Sequence, residues 1–577
     1  MRQTYTNPYG VSSFEEFNRL NKAYVDKTEF INVIDKLDSP YPVLLRPRRF
    51  GKTTFVQMLL CFYDISYKDK YDEIFKGTKI LEMNLPSHNT YHVIKFDFSG
   101  ISGTDTVSLI TNFNHKLAEA FTNFNCRYPD FNFNCEQVEL SPSAFIGKFF
   151  SHYEMYAKAK NLYILIDEYD NFANDVLSND RDLFKTITQS NGFLKDFYKC
   201  IKTFTDNVVA KTFITGVSSV SLDSLTSGFN IAKNVTCDPR LNEFAGFTKD
   251  ELVGLIEKLV DTKALNTTAE NIAEIMRQAY NGYAFCPEAT HTLFNSSMCL
   301  NYIDYISLKK TIENPERVLD PACAFDKSKV ADIISFTPKN VLKLVASEFE
   351  TTGEIVISEL AQSINLNQLE QYDLQTSLSV LYYLGYLTIK NDGVGSGICL
   401  TYPNKMMKYM FELCFINALI PKLEDDDNCI FDITSMLRGN PDLKGFIDSV
   451  TEYLSLRITN QHLLGFNENT IKVLVRAKLE DLKMLSVNTD QKLTVPMVGE
   501  KFADLVVDNQ KGTYYLFEFK YFSKAKAQQH PNILQEKIAE ATEQINCYKK
   551  ALEFEGKTLY SYIAIFESIN CVHFEQV

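Results

Sequence analysis

The sequence predicts an α/β protein whose first part is a doubly wound parallel sheet with a phosphate-binding loop. Three observations predict it: short apolar runs separated by sequence of helical length, a Gly-Lys-Thr turn after the first run, and an acidic pair after the third. Such runs are typical of strands buried on both faces. The runs start at Tyr41, Val93, Leu162, Thr212 and Asn234. We therefore expect one sheet between residue 41 and about residue 240.

The turn after the first run predicts a nucleotide site. An apolar strand, Gly51-Lys52-Thr53 and an amphipathic helix form a loop whose backbone N–H groups and helix N-terminus hold phosphates. Lys52 would reach the β- and γ-phosphates, and Thr53 would hold Mg²⁺. In the pattern G-x-x-x-x-G-K-[ST] the first glycine falls on Arg46. A basic turn between a strand and a helix therefore remains an alternative. The predicted nucleotide contacts are Arg49, Phe50, Gly51, Lys52, Thr53, Thr54 and Asp167.

The third run delivers two carboxylates to the end of its strand. Asp167 would orient the Mg²⁺ shell, and Glu168 would polarise the attacking water, as the second element of a phosphate-loop enzyme requires. An ordinary acidic helix N-terminus is the alternative. Thr215 ends the next strand as either a γ-phosphate sensor or a satisfied strand-end hydroxyl. Arg240 is either a charge-stabilising arginine or half of a surface salt bridge.

The pattern becomes helical after residue 245. Thr248 and Glu251 form a capping box that opens a helical lid. Helices followed by a small hairpin predict a winged-helix-like middle region, in which the acidic segment 424–428 is a solvated loop. The predicted domains are 1–245 (phosphate loop), 246–320 (lid), 321–455 (middle region) and 456–577 (C-terminal domain).

The C-terminal segment carries a second set of charged residues. On a strand, Glu518 and Lys520 share one face, and Asp504 on the adjoining strand meets them. Two carboxylates around Mg²⁺ beside a lysine suit hydrolysis of a phosphodiester. Glu468 would add a ligand, and Gln544 faces the same way as Tyr548 one helical turn later. A solvent-exposed Glu-x-Lys pair is the alternative.

Length and composition bound these predictions. A chain of 577 residues predicts three or four domains. The sequence has neither an apolar run of about 18 residues nor an apolar leader, which predicts a cytoplasmic protein that does not span a membrane. Thirteen scattered cysteines without a Cys-x-x-Cys pair favour reduced thiols over disulfides or a zinc ribbon.

The net charge limits where nucleic acid would bind. A charge of −14 excludes a broadly basic surface that coats nucleic acid. Residues 461–577 contain 14 lysine and arginine residues and 15 aspartate and glutamate residues, so this segment is nearly neutral. Any contact with DNA or RNA is therefore easier at this end.

Several motifs resemble known families. Those that resemble the AAA-ATPase-like family are Pro47–Thr53, Leu165–Asp170, Leu225–Asn230 and Tyr280–Tyr283. Those that resemble the PD-(D/E)XK nuclease superfamily are Asp504, Glu518-Phe519-Lys520 and Gln544-x-x-x-Tyr548. The first resemblance accounts for Arg46, since that family has Arg-Pro-Arg-Arg-Phe in the loop. Arg46, Arg48 and Arg49 then become added phosphate contacts.

The resemblance implies a P-loop NTPase domain followed by a restriction-endonuclease-like α/β domain, with ATP and Mg²⁺ as cofactors. The superfamily motif usually reads Gly-Arg-x-Asp, whereas this chain has Lys501-Phe502-Ala503-Asp504, which lacks a phosphate-contacting arginine. We expect an ATPase coupled to a Mg²⁺-dependent nuclease acting on DNA or RNA. Two alternatives are a nucleotide-driven switch with an inert nuclease-like fold, and ATP binding without turnover. Oligomerisation is compatible with this family, but the sequence assigns neither an oligomeric state nor an arginine finger.

Overall fold

The computed structural model consists of two units, Met1–Lys408 and Tyr409–Val577. The described residues are 5–136, 139–171, 192–219, 228–318, 352–361, 374–390, 397–419, 443–457, 467–480 and 485–577, with single positions at 176, 183, 186, 187, 345, 348 and 349. Residues 225–227 of the third resemblance motif and the acidic segment 424–428 lie outside them. Within these ranges no helix is both long and apolar enough to cross a membrane.

A five-stranded parallel sheet is the centre of the first unit. Its strands are β1 (Pro42–Leu45), β2 (His92–Asp97), β3 (Leu162–Asp167), β4 (Val209–Gly216) and β5 (Lys233–Asn234). They lie in the order β2-β3-β4-β1-β5. The expected parallel sheet is therefore confirmed. Because all strands run the same way, the carboxyl ends of β1, β3 and β4 meet at one edge.

Helices flank this sheet and bury an aromatic core. They are α1 (Glu15–Arg19), α2 (Glu29–Asp35), α3 (Lys52–Tyr63), α4 (Tyr71–Ile74), α5 (Lys79–Met83), α6 (Thr106–Arg127), α7 (Pro142–Ala157) and α8 (Phe193–Thr203). Phe121 of α6 stacks on Phe149 of α7 with ring centroids 4.4 Å apart. Burying rings of this size is a main source of stability in such a layer.

The lid and middle regions follow. The lid helices are α9 (Lys249–Leu259), α10 (Ala269–Tyr280) and α11 (Ser296–Lys309). The predicted capping box is confirmed, since Thr248 and Glu251 each bind the other's backbone N–H. A small antiparallel sheet contains β6 (Glu354–Ile357), β7 (Thr388–Ile389) and β8 (Ile398–Thr401), and helix α12 (Leu374–Tyr383) precedes its hairpin. This agrees with helices followed by a hairpin.

The second unit is built on a mixed five-stranded sheet. Its strands are β9 (Ser486–Val495), β10 (Gly499–Asp508), β11 (Thr513–Phe522), β12 (Thr558–Glu567) and β13 (Asn570–Gln576), in the order β13-β12-β11-β10-β9. Only β11 and β12 pair in parallel. The helices from the unit boundary onward are α13 (Lys405–Leu419), α14 (Leu443–Arg457), α15 (Glu468–Glu480), α16 (Lys524–Gln529) and α17 (Ile533–Tyr548). Strands β10 and β11 and helix α17 were predicted from the sequence, whereas β9, β12 and β13 were not.

Candidate active sites

The phosphate loop connects β1 to α3. Gly51 is the N-cap of α3 and has φ 95°, and Arg49 also adopts a left-handed φ of 69°. A glycine adopts this conformation without the steric cost that a side chain would add. The loop therefore ends at a helix N-terminus whose first N–H groups have no partner within the helix, an arrangement suited to anions.

The lid helix α11 braces the loop from the other side. The carbonyl of Arg49 accepts from the Ser297 N–H at 3.2 Å and from the Ser296 hydroxyl at 3.0 Å. The Asn295 side chain donates to the carbonyl of Arg48 at 3.4 Å. The loop conformation is thus fixed by residues about 250 positions later in the chain.

Lys52 lies inside this loop. Its ammonium is nearly buried and donates to the carbonyl of Pro47 at 3.1 Å. Burial lowers the pKa of Lys52, while the carboxylates of Glu168 and Asp167 oppose this effect. The lysine that the sequence assigned to the β- and γ-phosphates therefore lies close to the acidic pair of β3.

Asp167 has a geometry that fits a cation. Both of its carboxylate oxygens are buried and, within the described part of the chain, neither has a hydrogen-bond partner of good geometry. Burial raises the pKa of Asp167, and the Lys95 ammonium and the Thr53 hydroxyl oppose that rise. Oxygen ligands of this kind suit Mg²⁺. A buried carboxylate without a partner is costly, so the site fits the Mg²⁺ ion expected between Thr53 and Asp167.

Glu168 is held in an uncommon backbone conformation, with φ 54°. Burial raises its pKa, and Lys52 opposes that rise. Residues other than glycine rarely adopt this backbone conformation, and those that do cluster at functional sites. The conformation turns the chain sharply after β3 and places Glu168 beside the phosphate loop.

Asp170 binds the end of β4. Its carboxylate accepts from the Val217 N–H at 3.0 Å, the Ser218 N–H at 2.8 Å and the Ser218 hydroxyl at 2.9 Å. The hydroxyl of Thr215 donates to the carbonyl of Leu44 at 2.7 Å. Thr215 therefore matches the satisfied strand-end alternative rather than a sensor that faces a phosphate.

The arginines of the loop do not act alike, and the prediction that Arg46 contacts phosphate is wrong. Its buried guanidinium donates to three carbonyls, those of Leu45, Thr236 and Leu241, at 2.7–2.8 Å. It also lies over the ring of Phe285, with its carbon 4.1 Å from the centroid. Where a phosphate-loop glycine is usual, Arg46 thus ties the loop to later parts of the unit.

The other arginines lie nearer the surface. Arg48 donates to the side chain of Asn171 at 3.0 Å. Arg240 forms a two-pronged ion pair with Asp238, with its nitrogens 2.7 and 3.0 Å from the carboxylate oxygens. Arg240 therefore matches the salt-bridge alternative.

A cavity of about 140 Å³ opens beside the start of α3. It is lined on one side by Gly51 and Thr54, and on the others by the N-terminal segment 8–11, by 244–247 and by Ser297. Phe50 also lines it while packing edge-to-face on Tyr283, with ring centroids 4.9 Å apart. This cavity could not be predicted from the sequence, because its walls come from three distant parts of the chain.

In the second unit, β10 and β11 separate where the charged residues lie. Their antiparallel pairing runs from Asp508, opposite Tyr514, to Leu505, opposite Phe517. Beyond that point the side chain of Asp504, rather than a backbone carbonyl, accepts from the Phe519 N–H at 2.8 Å. This opening allows Asp504 and Glu518 to face a common space.

Glu518 and Lys520 form a nearly buried ion pair, 2.7 Å apart. The second oxygen of Glu518 is buried and has no hydrogen-bond partner among the described residues. Burial and the nearby Asp504 carboxylate raise the pKa of Glu518, and Lys520 opposes that rise. The solvent-exposed alternative for this pair is therefore excluded.

Two predicted helix residues, Glu468 and Tyr548, lie close enough to this space to feel its charges. Burial raises the pKa of Glu468 on α15, and the Lys520 ammonium opposes that rise. On α17 the amide oxygen of Gln544 is buried without a described partner. Burial and the charges of Glu518 and Asp504 raise the pKa of Tyr548.

Two further charged residues, Lys472 and Asp490, belong to the site and were not predicted from the sequence. Lys472 of α15 lies 3.1 Å from Asp504 and 3.1 Å from Asp490. Burial alone would lower the pKa of Lys472, but the two carboxylates together raise it above its ordinary value. Lys472 follows Glu468 by four residues, one helical turn, which is the signal that indicates a shared face.

The second site fits a cation held by few protein ligands. Among the described residues no three carboxylate, imidazole or thiolate groups gather closely enough to enclose a metal ion. Mg²⁺ usually keeps several waters and binds through one or two carboxylates. Asp504 and the unpartnered oxygen of Glu518 are such a pair, whereas Glu468 stays a predicted ligand.

Comparison with known proteins agrees with the two units. Residues 8–226 match the AAA-ATPase-like family, described as a predicted AAA-ATPase. Residues 497–576 match the PD-(D/E)XK nuclease superfamily. The first match contains the phosphate loop and the acidic pair. The second contains Asp504, Glu518, Lys520 and Gln544.

Individual relatives are distant. A protein of Azotobacter chroococcum mcd 1, described as an uncharacterized protein in the vnfD 5' region, is 26% identical over 295 residues. That match spans 50% of this chain and 50% of the relative. A chain in a structure of Drosophila ORC bound to DNA is 13% identical, with 71% of this chain and 95% of that chain covered and a TM-score of 0.25. A TM-score this low supports no conclusion about fold or ligand.

Proposed function

We propose that this chain, in which an AAA-ATPase-like domain precedes a PD-(D/E)XK nuclease-superfamily domain, hydrolyses ATP in its first unit and cleaves nucleic acid in its second. One observation carries the proposal. At both predicted sites a buried carboxylate oxygen lacks a hydrogen-bond partner of good geometry among the described residues and lies near a buried lysine: Asp167 near Lys52, and Glu518 near Lys520. Both pairs suit a cation and a phosphate group. Bound there, Mg²⁺ would neutralise phosphate charge and lower the pKa of a bound water.

In the ATP site each residue has a separate task. The backbone N–H groups at the start of α3 bind the phosphates, and Lys52 leaves the Pro47 carbonyl to reach the β- and γ-phosphates. Thr53 and Asp167 hold the metal. Glu168 accepts a hydrogen bond from the attacking water, a task consistent with its position beside the loop.

The cavity beside α3, with a volume of about 140 Å³, would hold the base. Gly51 and Thr54 line it, so the base of a nucleotide whose phosphates lie on the loop would reach it. Its walls are mostly apolar or aromatic, including Phe50, Val11 and Phe247, as a planar base requires. Tyr9 and Gly10 would close the site from the N-terminal segment.

In the second unit the residues divide between metal and phosphate. Asp504 and Glu518 hold Mg²⁺, with Glu468 as a further ligand. Lys520 orients the attacking water, and Gln544 donates from its amide to the phosphate or the water. Asp504 is already oriented by the Phe519 N–H, so its carboxylate needs little rearrangement.

The ATPase proposal is tested with two variants of the first unit. Lys52→Ala should abolish ATP binding, measured by calorimetry with ATP and Mg²⁺. Glu168→Gln should leave the affinity within a few-fold and reduce turnover by about 10²-fold or more, since a residue that polarises water contributes about that much. Wild-type protein that binds ATP but releases no phosphate would instead support binding without turnover.

The nuclease proposal is tested with labelled DNA and RNA in Mg²⁺, alone and with ATP. Lys520→Ala should remove cleavage, while Lys524→Ala, an exposed lysine on α16, should not. Substrates of both kinds decide between DNA and RNA. Wild-type protein that cleaves neither, under any of these conditions, refutes the nuclease half.

A second candidate function is a nucleotide-driven switch whose nuclease-like unit is inert. Two observations favour it: Lys501 and Phe502 stand where the superfamily usually has Gly-Arg, and no ready metal cluster occurs among the described residues. This candidate gains if Lys52→Ala abolishes every measurable activity and Lys520→Ala abolishes none.

A further inference from the structure

Lys472 is placed between two carboxylates at the mouth of the second site. Its ammonium is 3.1 Å from an oxygen of Asp490 and 3.1 Å from an oxygen of Asp504. The Lys472 side chain is 12% exposed, whereas that of Asp490 is 47% exposed. A lysine anchored at both sides in this way is held in place rather than solvated.

Both oxygens of Asp504 are therefore engaged. One accepts from the Phe519 N–H at 2.8 Å, and the other accepts from Lys472. The backbone donor is fixed by the strand, so only the bond to Lys472 can yield. A divalent ion that binds the oxygen facing Lys472 must share it with that ammonium or displace the ammonium.

The charges around the site make this competition substantial. Besides Asp490 and Asp504, the carboxylates of Glu468 and Glu518 lie near the ammonium groups of Lys472 and Lys520, and Glu540 lies 3.9 Å from Lys520. Without Lys472 the site would carry one more net negative charge. Unit charges a few ångströms apart in a partly buried site are screened less than at the surface, so this charge matters to a divalent ion.

We propose that the Lys472 ammonium acts as a built-in cation of the metal site. It shares Asp504 with the incoming divalent ion and so weakens the binding of that ion. The inference rests on the proposed nuclease function, because it takes Asp504 as a metal ligand. Lys472 acts here through Asp504 as a positioning residue. Asp490 acts in the opposite sense, because it draws the ammonium away from Asp504 and adds negative charge.

The test measures Mn²⁺ binding to the nucleotide-free full chain by calorimetry, with no substrate present. The Asp504→Asn variant gives the background from other sites. Lys472→Met should bind Mn²⁺ at least about tenfold more tightly than wild type, and Asp490→Asn should bind it more weakly. Lys472→Arg, which keeps the charge, should stay within a few-fold of wild type. Lys492→Met, which removes an exposed lysine paired with Glu500, serves as the matched control and should not change the affinity.

Each outcome separates the inference from the function on which it rests. Unchanged or weaker Mn²⁺ binding in Lys472→Met, with its far-UV circular dichroism intact, overturns the role of Lys472 and leaves the nuclease proposal standing. Loss of affinity in both Lys472→Met and Asp490→Asn overturns it as well, because a merely structural role moves both in one direction. Wild-type protein without any Asp504-dependent Mn²⁺ binding refutes the metal site itself. If Lys472→Met does not fold, Lys472→Gln replaces it with the same expected direction.

Discussion

At the residue scale, Gly216 is fixed by space rather than by backbone conformation. A methyl group there would lie 2.3 Å from an Asp170 oxygen and 2.5 Å from the Tyr169 ring. Gly216→Ala should therefore disrupt the hydrogen bonds that Asp170 accepts from Val217 and Ser218. It should destabilise the first unit by about 1–3 kcal/mol, the usual cost of overpacking. Urea unfolding followed by far-UV circular dichroism measures this loss.

Gly254 provides the matched control. It lies within α9, and a methyl group added there would meet nothing within 4 Å. Gly254→Ala should stabilise the protein by about 0.5–1 kcal/mol, because alanine is the better helix former. Equal effects of the two substitutions would contradict the crowding at Gly216.

His92 should make stability depend on pH. Burial lowers the pKa of His92 from its ordinary 6.5, and the Asp64 charge opposes this shift. The unfolded chain therefore binds more protons just below pH 6.5, so the stabilising contribution is complete above that pH and is lost as the pH falls. His92→Gln should reduce the slope of unfolding free energy against pH below 6.5. His115→Gln, an exposed position on α6, should leave the slope unchanged.

At the element scale, the start of α9 combines a cap with a buried ion pair. Glu251 closes the capping box and also lies 2.7 Å from the nearly buried ammonium of Lys27. Thr248→Ala should cost about 1 kcal/mol, the usual value of an N-cap. Glu251→Ala should cost more, since Lys27 then loses its charged partner. Asp250→Ala, at an exposed first-turn position, is the control, and urea unfolding again measures the differences.

Among the elements and their contacts, those that depend on short spacing could be predicted from the sequence. The capping box, the strands of the first sheet and the Glu-x-Lys strand depend on spacing within a few residues, and all were predicted. The role of Arg46 was not, because its carbonyl partners Thr236 and Leu241 lie 190 and 195 residues away. Lys472 was missed for a similar reason, since Asp490 and Asp504 meet it only after β9 and β10 pair. The backbone contacts of Arg46 with distant segments leave no residue pattern to recognise, whereas Lys472 leaves only its four-residue spacing from Glu468.

At the scale of the whole molecule, each unit has its own sheet and core, so unfolding should show more than one transition. ATP with Mg²⁺ should stabilise the first unit by about 2.7 kcal/mol at a hundredfold excess over its dissociation constant. This shift should vanish in Lys52→Ala and persist in Lys520→Ala. Differential scanning calorimetry tests it, and a nucleotide-induced shift that survives Lys52→Ala would contradict the assigned site.

Helix α11 contacts both the phosphate loop and the residue that precedes the N-terminal wall of the cavity. Its first turn holds the carbonyl of Arg49 in the phosphate loop, and one turn later the carbonyl of Leu300 accepts from Asn7, next to the N-terminal segment that lines the cavity. A nucleotide that shifts either the loop or that segment should therefore also shift α11. Because a packed helix shifts largely as a rigid body, we expect occupancy of the site to displace α11 and, with it, the lid.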